Sequence, residues 1–179
     1  MILSAQTIRS LNMIHPFHER TRSLGMTFGL SSCGYDVRVA QNVSLRPKGC
    51  KLASTVERFS LPNDVTAQVM DKSSWARQFV TVQNTIIEPG WFGYLTLEII
   101  NHSNESVLIE AGSPIAQIVF SRLDEPTEQP YGGKYQNQQS GPQPAILERS
   151  EMVRHRITRQ GDEFACECGA RWDAKEMHP

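Results

Sequence analysis

The residue best suited to acid–base chemistry is Glu98, which lies in the apolar stretch "YLTLEII". If this stretch is a strand, alternation places Thr96 and Glu98 on one face and Leu95 and Leu97 on the other. A carboxylate among apolar neighbours loses hydration, which raises its pKa toward neutrality and suits a general base. The alternative is a glutamate on a solvated edge strand or one paired with an arginine. For a single strand-borne glutamate that is the more common situation.

The stretch "DKSSWARQF", residues 71–79, is a candidate anion site. It predicts a short helix over 73–79 in which Ser73 or Ser74 is the N-cap. Backbone N–H groups and the positive end of the helix dipole favour a bound anion, and Lys72 and Arg77 add charge. The alternative is a serine-capped helix on the surface, which the stretch taken alone favours.

Two further stretches hold polar and aromatic residues near turns. In "IIEPGWFGYLTLE" the Pro-Gly pair predicts a turn directly before the Glu98 strand, which holds Glu88 near two aromatic residues. The alternative there is a hairpin turn with no further role. The stretch "YGGKYQNQQ" places Tyr131, Lys134 and Gln138 in a glycine-containing loop that can close over phosphates. A disordered linker has a similar composition.

The overall composition is that of a soluble globular protein. The 179 residues are 39% hydrophobic and 21% charged, with a formal net charge of −1. This balance argues against broad nucleic-acid binding, and no apolar run is long enough to cross a membrane. We expect no secretory signal and a cytoplasmic protein, in which the four cysteines (Cys33, Cys50, Cys166 and Cys168) are free thiols.

The elements that must position these residues are mainly β-strands. Short, alternating, β-branched stretches such as "YDVRV", "DVTAQVM" and "PIAQIVF" are separated by turn sequences, which predicts an antiparallel barrel or sandwich. Apolar spacing over residues 3–14, after a serine, predicts a short N-terminal helix. Residues 124–144 are predicted to be a functional loop. We expect one domain over 1–145 and an extension over 146–179 that begins with an amphipathic helix and whose end is compositionally unlike the strands.

The order of these motifs is more specific than any one of them. The run "GYDVR", "KSSWAR", "EPGWFGYLTLEIIN", "GSPIAQIVF" and "PYGGKYQNQ", from about Leu30 to Gln139, resembles the dCTP deaminase family of the trimeric dUTPase-like superfamily. The resemblance implies a distorted β-barrel or jelly-roll fold and a homotrimer with active sites at subunit interfaces. It implies deamination of dCTP to dUTP, which supplies dUMP and dTTP synthesis.

The resemblance also implies roles for individual residues. Glu98 matches the catalytic proton acceptor and donor, and Ser73 and Arg77 match residues that position the water and the pyrimidine. Lys72, where many members have arginine, and Ser74 would hold phosphates.

The remaining positions carried over from the family surround the substrate. Glu88 would contact the deoxyribose, Thr96 and Leu97 would line the pyrimidine, and Gln117 would contact the base. Tyr131, Lys134 and Gln138 match the loop that closes on the triphosphate.

The resemblance implies Mg²⁺ bound with the nucleotide phosphates and no catalytic zinc. A zinc-dependent deaminase would show H-x-E followed by P-C-x-x-C, and "HPFHE" and "CECG" have neither spacing. A structural zinc on Cys166 and Cys168, with His155 or His178, is an alternative to free thiols. C-x-C departs from the usual C-x₂₋₄-C spacing. The basic stretch "RHRITR" is more typical of a solvated or packed surface than of nucleic-acid binding.

Asn84 departs from the family pattern, because many members have alanine near this position. The segment including Thr85 and Ile86 is linked in the family to whether the reaction stops at dUTP or continues to dUMP. Gln117 favours the dUMP-forming members, whereas Thr85 and Ile86 match neither group. A bifunctional enzyme, a dUTPase without deamination and a non-catalytic nucleotide-sensing trimer therefore stay open as alternatives.

Overall fold

The computed structural model describes residues 1–147, 157–160, 163–166 and 171–173. The chain divides into two compact units, Met1–Pro144 and Ala145–Pro179. The first unit is mainly β, which confirms the predicted fold class. Its strands are β1 (Ile14–His15), β2 (Thr21–Ser23), β3 (Met26–Leu30), β4 (Tyr35–Arg38), β5 (Val43–Leu45), β6 (Cys50–Ser60), β7 (Val65–Asp71), β8 (Val80–Val82), β9 (Ile86–Ile87), β10 (Phe92–Asn101), β11 (Val107–Ile109) and β12 (Pro114–Arg122).

The strands of this unit form three open sheets, compatible with a jelly-roll-like fold, and not a closed barrel. The six-stranded sheet has the order β2-β3-β4-β12-β7-β9, the four-stranded sheet has the order β1-β6-β10-β8, and β11 pairs with β5. Because β7 belongs to the first sheet and β8 to the second, the chain between them crosses from one sheet to the other. That crossing contains the "KSSWAR" motif.

Alternation of buried and partly buried residues along β10 and the second half of β12 builds much of the hydrophobic core. In β10, Leu95, Leu97 and Ile99 are buried, whereas the residues between them are only partly buried. In β12, Ile118 and Phe120 are fully buried in the same way. Burying each such side chain contributes about 1.5–3 kcal/mol, so the alternation fixes which face of β10 is turned away from the core.

The N-terminal helix is shorter than the sequence predicts. Helix α1 spans Ala5–Leu11, and it ends because Asn12 takes a left-handed conformation with φ of 49°. The apolar residue Ile14, which fits the helical spacing, instead begins β1 and pairs with Phe59 of β6. Ser4 precedes the helix, but its side chain makes no capping hydrogen bond.

The second helix corrects the predicted capping and length. Helix α2 spans only Ser73–Ala76, and Lys72, not a serine, occupies the N-cap position without a side-chain cap. The helix is positioned by Trp75, which is buried and whose indole Nε1–H donates to the Pro114 carbonyl at 2.7 Å. A tertiary contact therefore decides where this helix begins. Two backbone hydrogen bonds, from Gln78 to Trp75 and from Phe79 to Ala76, close the segment that follows.

The C-terminal unit contains strands that the sequence analysis did not expect. Strands β13 (Ile157–Gln160), β14 (Glu163–Cys166) and β15 (Arg171–Asp173) form an antiparallel three-stranded sheet. The Gly-Asp pair between β13 and β14 is a hairpin signal that the composition-based interpretation overlooked. The predicted amphipathic helix at the start of this unit, and three residues of the zinc alternative (His155, Cys168 and His178), lie outside the described residues. Over the part of the chain that is described, no helix has the length and apolar character needed to cross a membrane.

Candidate active site

Glu98 lies on an interior strand and not at a sheet edge. Strand β10 pairs with β6 on one side, where Glu98 is opposite Leu52, and with β8 on the other. The Glu98 carbonyl accepts a hydrogen bond from the Gln83 N–H at 3.0 Å, just beyond the end of β8. Both neighbours fix the backbone of Glu98, so the edge-strand alternative does not apply.

The side chain of Glu98 has an unusual environment. Its Oε2 atom is buried, and no described residue forms a hydrogen bond with it. None of the ion pairs among the described residues involves Glu98, so the arginine-paired alternative finds no support there. Burial raises the pKa of the Glu98 carboxyl above its usual range, because the charged form loses hydration. A carboxylate in this state is suited to accept a proton near neutral pH.

The face of β10 that carries Glu98 also receives the C-terminal loop. The Gln138 side-chain amide donates to Thr96 Oγ1 at 2.5 Å, and the Gln143 N–H donates to the same oxygen at 2.9 Å. Gln138 is buried, although it belongs to a stretch whose composition is that of a loop. The structure therefore brings Gln138 to Thr96, which is two residues from Glu98 on the same face of β10. The side chain of Leu97 points to the opposite face and is packed in the core, so it can act at the site only through its backbone.

The predicted turn before β10 is present. Gly90 has a φ of +79°, and the Trp91 N–H donates to the Glu88 carbonyl at 3.1 Å. The indole of the buried Trp91 donates to the Tyr135 carbonyl at 3.0 Å, which ties the turn to the C-terminal loop. The Glu88 side chain is exposed. The turn thus holds this carboxylate at the end of β10 where the loop docks.

Lys72 is buried in an ion pair and does not project into solvent. Its Nζ lies 2.7 Å from Oδ2 of Asp36 in β4, and both residues are about 8% exposed. Asp36 pairs in register with Gln117 of β12, whose side-chain amide donates to Ser31 Oγ at 3.1 Å. Lys72 is therefore tied to the six-stranded sheet through Asp36, which is the register neighbour of Gln117. A phosphate bound by Lys72 would share this cation with Asp36.

The motif that contains Ser73 and Arg77 is anchored at its base. The Val82 N–H donates to Asp71 Oδ1 at 2.7 Å, which closes the segment between β7 and β8. Ser73 and Arg77 are exposed and Ser74 is partly buried. No hydrogen bond or ion pair within the described part of the chain joins these three residues to the carboxylate of Glu98.

Asn84 links the two large sheets. In the orientation that turns its amide nitrogen toward two carbonyl acceptors, Asn84 donates to the Val69 carbonyl in β7 at 3.0 Å and to the Val82 carbonyl in β8 at 3.3 Å. The side chain remains exposed. In the C-terminal loop, Lys134 is exposed, and its ammonium lies 5.6 Å from the Tyr135 ring centroid. Tyr131 of the same loop packs against the core.

Comparison with known proteins decides the family. The model described as dCTP deaminase-like matches residues 30–123. The chain belongs to the dCTP deaminase-like family. A relative from Thermococcus gammatolerans, named dCTP deaminase, is 36% identical over 151 residues, which cover 76% of this chain and 91% of the relative. A protein of the same name from Campylobacter fetus subsp. fetus is 36% identical over 168 residues, covering 75% and 90%.

Solved structures support the fold. A dUTPase from phage phi11 of S. aureus superposes with a TM-score of 0.51 at 17% identity, covering 69% of this chain and 98% of that one. A mutant form of the Staphylococcus bacteriophage 80alpha dUTPase, solved with dUpNHpp, gives a TM-score of 0.51 at 19% identity, with the same coverage. At these identities the likeness shows a dUTPase-like fold only.

Three residues near the site of this dCTP deaminase-like chain escaped the sequence analysis. Asp36 lies in the quoted motif "GYDVR", but its partner Lys72 is 36 residues away, so no local spacing signals the pair. Arg58 of β6 stacks on the ring of Phe92, with its guanidinium carbon 3.7 Å from the centroid. Gln136 bonds three backbone groups with its side chain. Its place in "KYQNQ" was the only available signal.

The Lys72–Asp36 pair gives a stability prediction. Replacing Lys72 by methionine leaves Asp36 as an uncompensated buried charge, so we expect the free energy of unfolding to fall by about 3–5 kcal/mol. The double variant Lys72→Met/Asp36→Asn removes both charges and should recover most of that loss. Urea unfolding at fixed protein concentration measures both variants. A single variant as stable as the wild type, or a double variant no better than the single one, contradicts the importance of the pair.

Proposed function

We propose that the protein deaminates dCTP to dUTP and releases ammonia, with Glu98 as the group that moves the protons. The observation that carries the proposal is the buried Glu98 Oε2, which has no hydrogen-bond partner among the described residues, on the β10 face where Gln138 bonds Thr96. The names of the relatives, dCTP deaminase, agree with this substrate. The product would supply dUMP and dTTP synthesis in the cytoplasm.

The reaction needs one water and one base. Glu98 takes a proton from a water positioned by Ser73, and the resulting hydroxide attacks C4 of the cytosine while Arg77 helps to hold the ring. Glu98 then passes protons to the ring and to the amino group, the C4–N bond breaks, and ammonia leaves with uracil O4 in its place. The balance is one dCTP and one water to one dUTP and one ammonia. The raised pKa of Glu98 suits it both to accept the proton from water and to give protons to the ring and the amino group.

The substrate would be held from several sides. Lys72 and Ser74 would bind phosphates, with Lys134 and Tyr131 closing over them and Glu88 contacting the deoxyribose. The base would meet the backbone of Leu97, the side chains of Thr96 and Gln117, and Gln138 from the loop; Asn84 lies beside this region. In the described residues no three His, Cys, Asp or Glu side chains cluster as metal ligands. In this proposal Mg²⁺ would come with the nucleotide and would be held mainly by its phosphate oxygens.

We infer that the site is shared between copies in a homotrimer. Within one chain, the hydroxyl of Ser73 and the guanidinium of Arg77 have no bond to Glu98, although the mechanism needs them next to its carboxylate. A neighbouring copy would bring its own α2 over the Glu98 face. Closed cyclic symmetry makes all three interfaces equivalent, so each would carry one complete site.

The reaction is tested by measuring the products. With dCTP and magnesium, the wild type should release ammonia and form dUTP. Glu98→Gln should reduce turnover by about 10²–10⁴-fold, because an amide cannot take the proton. The matched control is Glu110→Gln, at an exposed glutamate outside the site, which should leave the rate unchanged. Ammonia release at a near wild-type rate from Glu98→Gln overturns the assignment.

The same assay separates the alternative functions. Pyrophosphate accompanying ammonia indicates a bifunctional enzyme that continues to dUMP, which the Gln117 position favours. Pyrophosphate from dUTP without any ammonia from dCTP indicates a dUTPase. A chain that binds the nucleotides and turns over neither is a sensor.

Sharing of the site between copies has its own test. Glu98→Gln and Ser73→Ala are each expected to be inactive alone, but a site that takes Glu98 from one copy and Ser73 from the next can be complete in a mixed trimer. Co-refolding equal amounts should therefore restore about a quarter of wild-type ammonia release, as random assembly into a ring requires. Mixtures that stay as inactive as the separate variants place both residues in one copy and contradict the shared site.

A further inference from the structure

The C-terminal loop is docked on its own chain through a short run of backbone pairing. The Asn137 N–H donates to the Phe92 carbonyl at 2.8 Å, and the Tyr94 N–H donates to the Gln138 carbonyl at 3.0 Å. Gly93 and Gln138 form a parallel β-bridge between these two bonds. The beginning of the Glu98 strand and the loop therefore form one small ladder.

Gln136 closes this ladder with its side chain. Its Oε1 accepts from the Phe92 N–H at 2.9 Å, while its Nε2 donates to the carbonyls of Gly90 at 2.9 Å and Tyr131 at 3.0 Å. A primary amide supplies one acceptor and two donors from a single planar group, which matches the three backbone groups that surround it. The side chain is exposed, so burial of apolar area does not explain its position.

Two glycines show that the loop is seated closely at this point. A Cβ on Gly93 would lie 2.7 Å from the backbone nitrogen of Gln138, and a Cβ on Gly90 would lie 2.6 Å from the Pro130 side chain. Both glycines also have positive φ angles of +146° and +79°. Glycine at these two positions thus allows the loop to approach the turn and β10 closely. The hydrogen bonds of the Gln136 side chain hold the loop in this position.

The three groups bonded by Gln136 belong to parts of the site with different tasks. Gly90 is in the turn that follows Glu88, Phe92 begins the strand that carries Glu98, and Tyr131 starts the loop that contains Lys134. We propose that Gln136 is a positioning residue that fixes the loop against the turn and β10, and so sets the distance between the residues that would bind phosphates and those that would bind the nucleoside. The proposal rests on the proposed function of the site, and it assigns Gln136 a role through the backbone groups that its side chain bonds and not through contact with the substrate.

The experiment compares Gln136→Ala with Gln139→Ala. Gln139 is exposed in the same loop, and among the described residues its side-chain amide donates only to the Asn137 carbonyl, at 2.8 Å, so it is the matched control. Hydrogen exchange in the full-length protein should show the Phe92 and Tyr94 amides exchanging roughly tenfold faster in Gln136→Ala and unchanged in Gln139→Ala. Both amides unchanged in Gln136→Ala overturns the proposal.

Nucleotide binding is measured on the Glu98→Gln background, where we expect dCTP turnover to be about 10²–10⁴-fold slower than in the wild type. We expect Gln136→Ala to raise the Kd of dCTP about tenfold and Gln139→Ala to leave it unchanged. In the wild-type background, Gln136→Ala should raise KM about tenfold while kcat changes less than about twofold, since the residue acts before the chemical step.

The outcomes separate the two proposals. Faster exchange with an unchanged Kd shows that Gln136 only stabilises the loop, which overturns the positioning role. A wild-type protein that releases no ammonia from dCTP contradicts the proposed reaction. The Kd of dCTP and the hydrogen-exchange rates still decide the role of Gln136. Faster exchange together with weaker dCTP binding supports it.

Discussion

The candidate site depends on one constraint, which is that side chains along β10 alternate between the core and the opposite face while two neighbouring strands hold its backbone. Because β6 and β8 fix its backbone and Leu97 and Ile99 fill the core, Glu98 must face the other side of the sheet. Opposite it in register is Leu52, an apolar residue that offers no hydrogen bond. The fold thus keeps a carboxylate whose buried oxygen has no hydrogen-bond partner in the part of the chain that is described, which costs stability. Local rules that are broken in this way are typical of functional positions.

The same strand organises the rest of the site. Its first residues pair with the C-terminal loop, and the Pro-Gly turn before it holds Glu88. Its partner β8 ends the segment that carries the serines and Arg77. Most groups expected to touch the nucleotide are therefore connected to β10 directly or through one hydrogen-bonded segment. Lys72 lies in the crossing from β7 to β8, where its ion pair with Asp36 connects that segment to the six-stranded sheet that also contains Gln117.

Local patterns predicted the parts of this arrangement that depend on local chemistry. Alternation around Glu98 and the turn at Gly90 are properties of a few consecutive residues, and both are present. Strand β6 was not identified, because Lys51, Glu57 and Arg58 interrupt its apolar pattern. Burial of Glu57 is compensated by Arg38, whose Nε lies 2.8 Å from its Oε1, and this partner is on another strand.

Long-range pairing explains the other differences. The position of α2 is set by the bond of Trp75 to Pro114, 39 residues away, so capping preference alone could not locate its first residue. The burial of Lys72 likewise depends on Asp36, which the chain brings close only when β4, β12 and β7 form one sheet. The roles of individual site residues came from the family resemblance, and they stay predictions until substrate is bound or turned over.

The central claim, that Glu98 is the proton acceptor, is tested most directly by the pH dependence of kcat/KM for ammonia release from dCTP. Burial raises the pKa of Glu98 above the ordinary carboxyl value of 4.5. In the proposed mechanism the active form is the deprotonated one. Activity should therefore fall as the pH drops through a limb that lies clearly above 4.5, and the residual activity of Glu98→Gln should lack this limb. A limb at the ordinary carboxyl value, or one that persists in Glu98→Gln, would contradict the account.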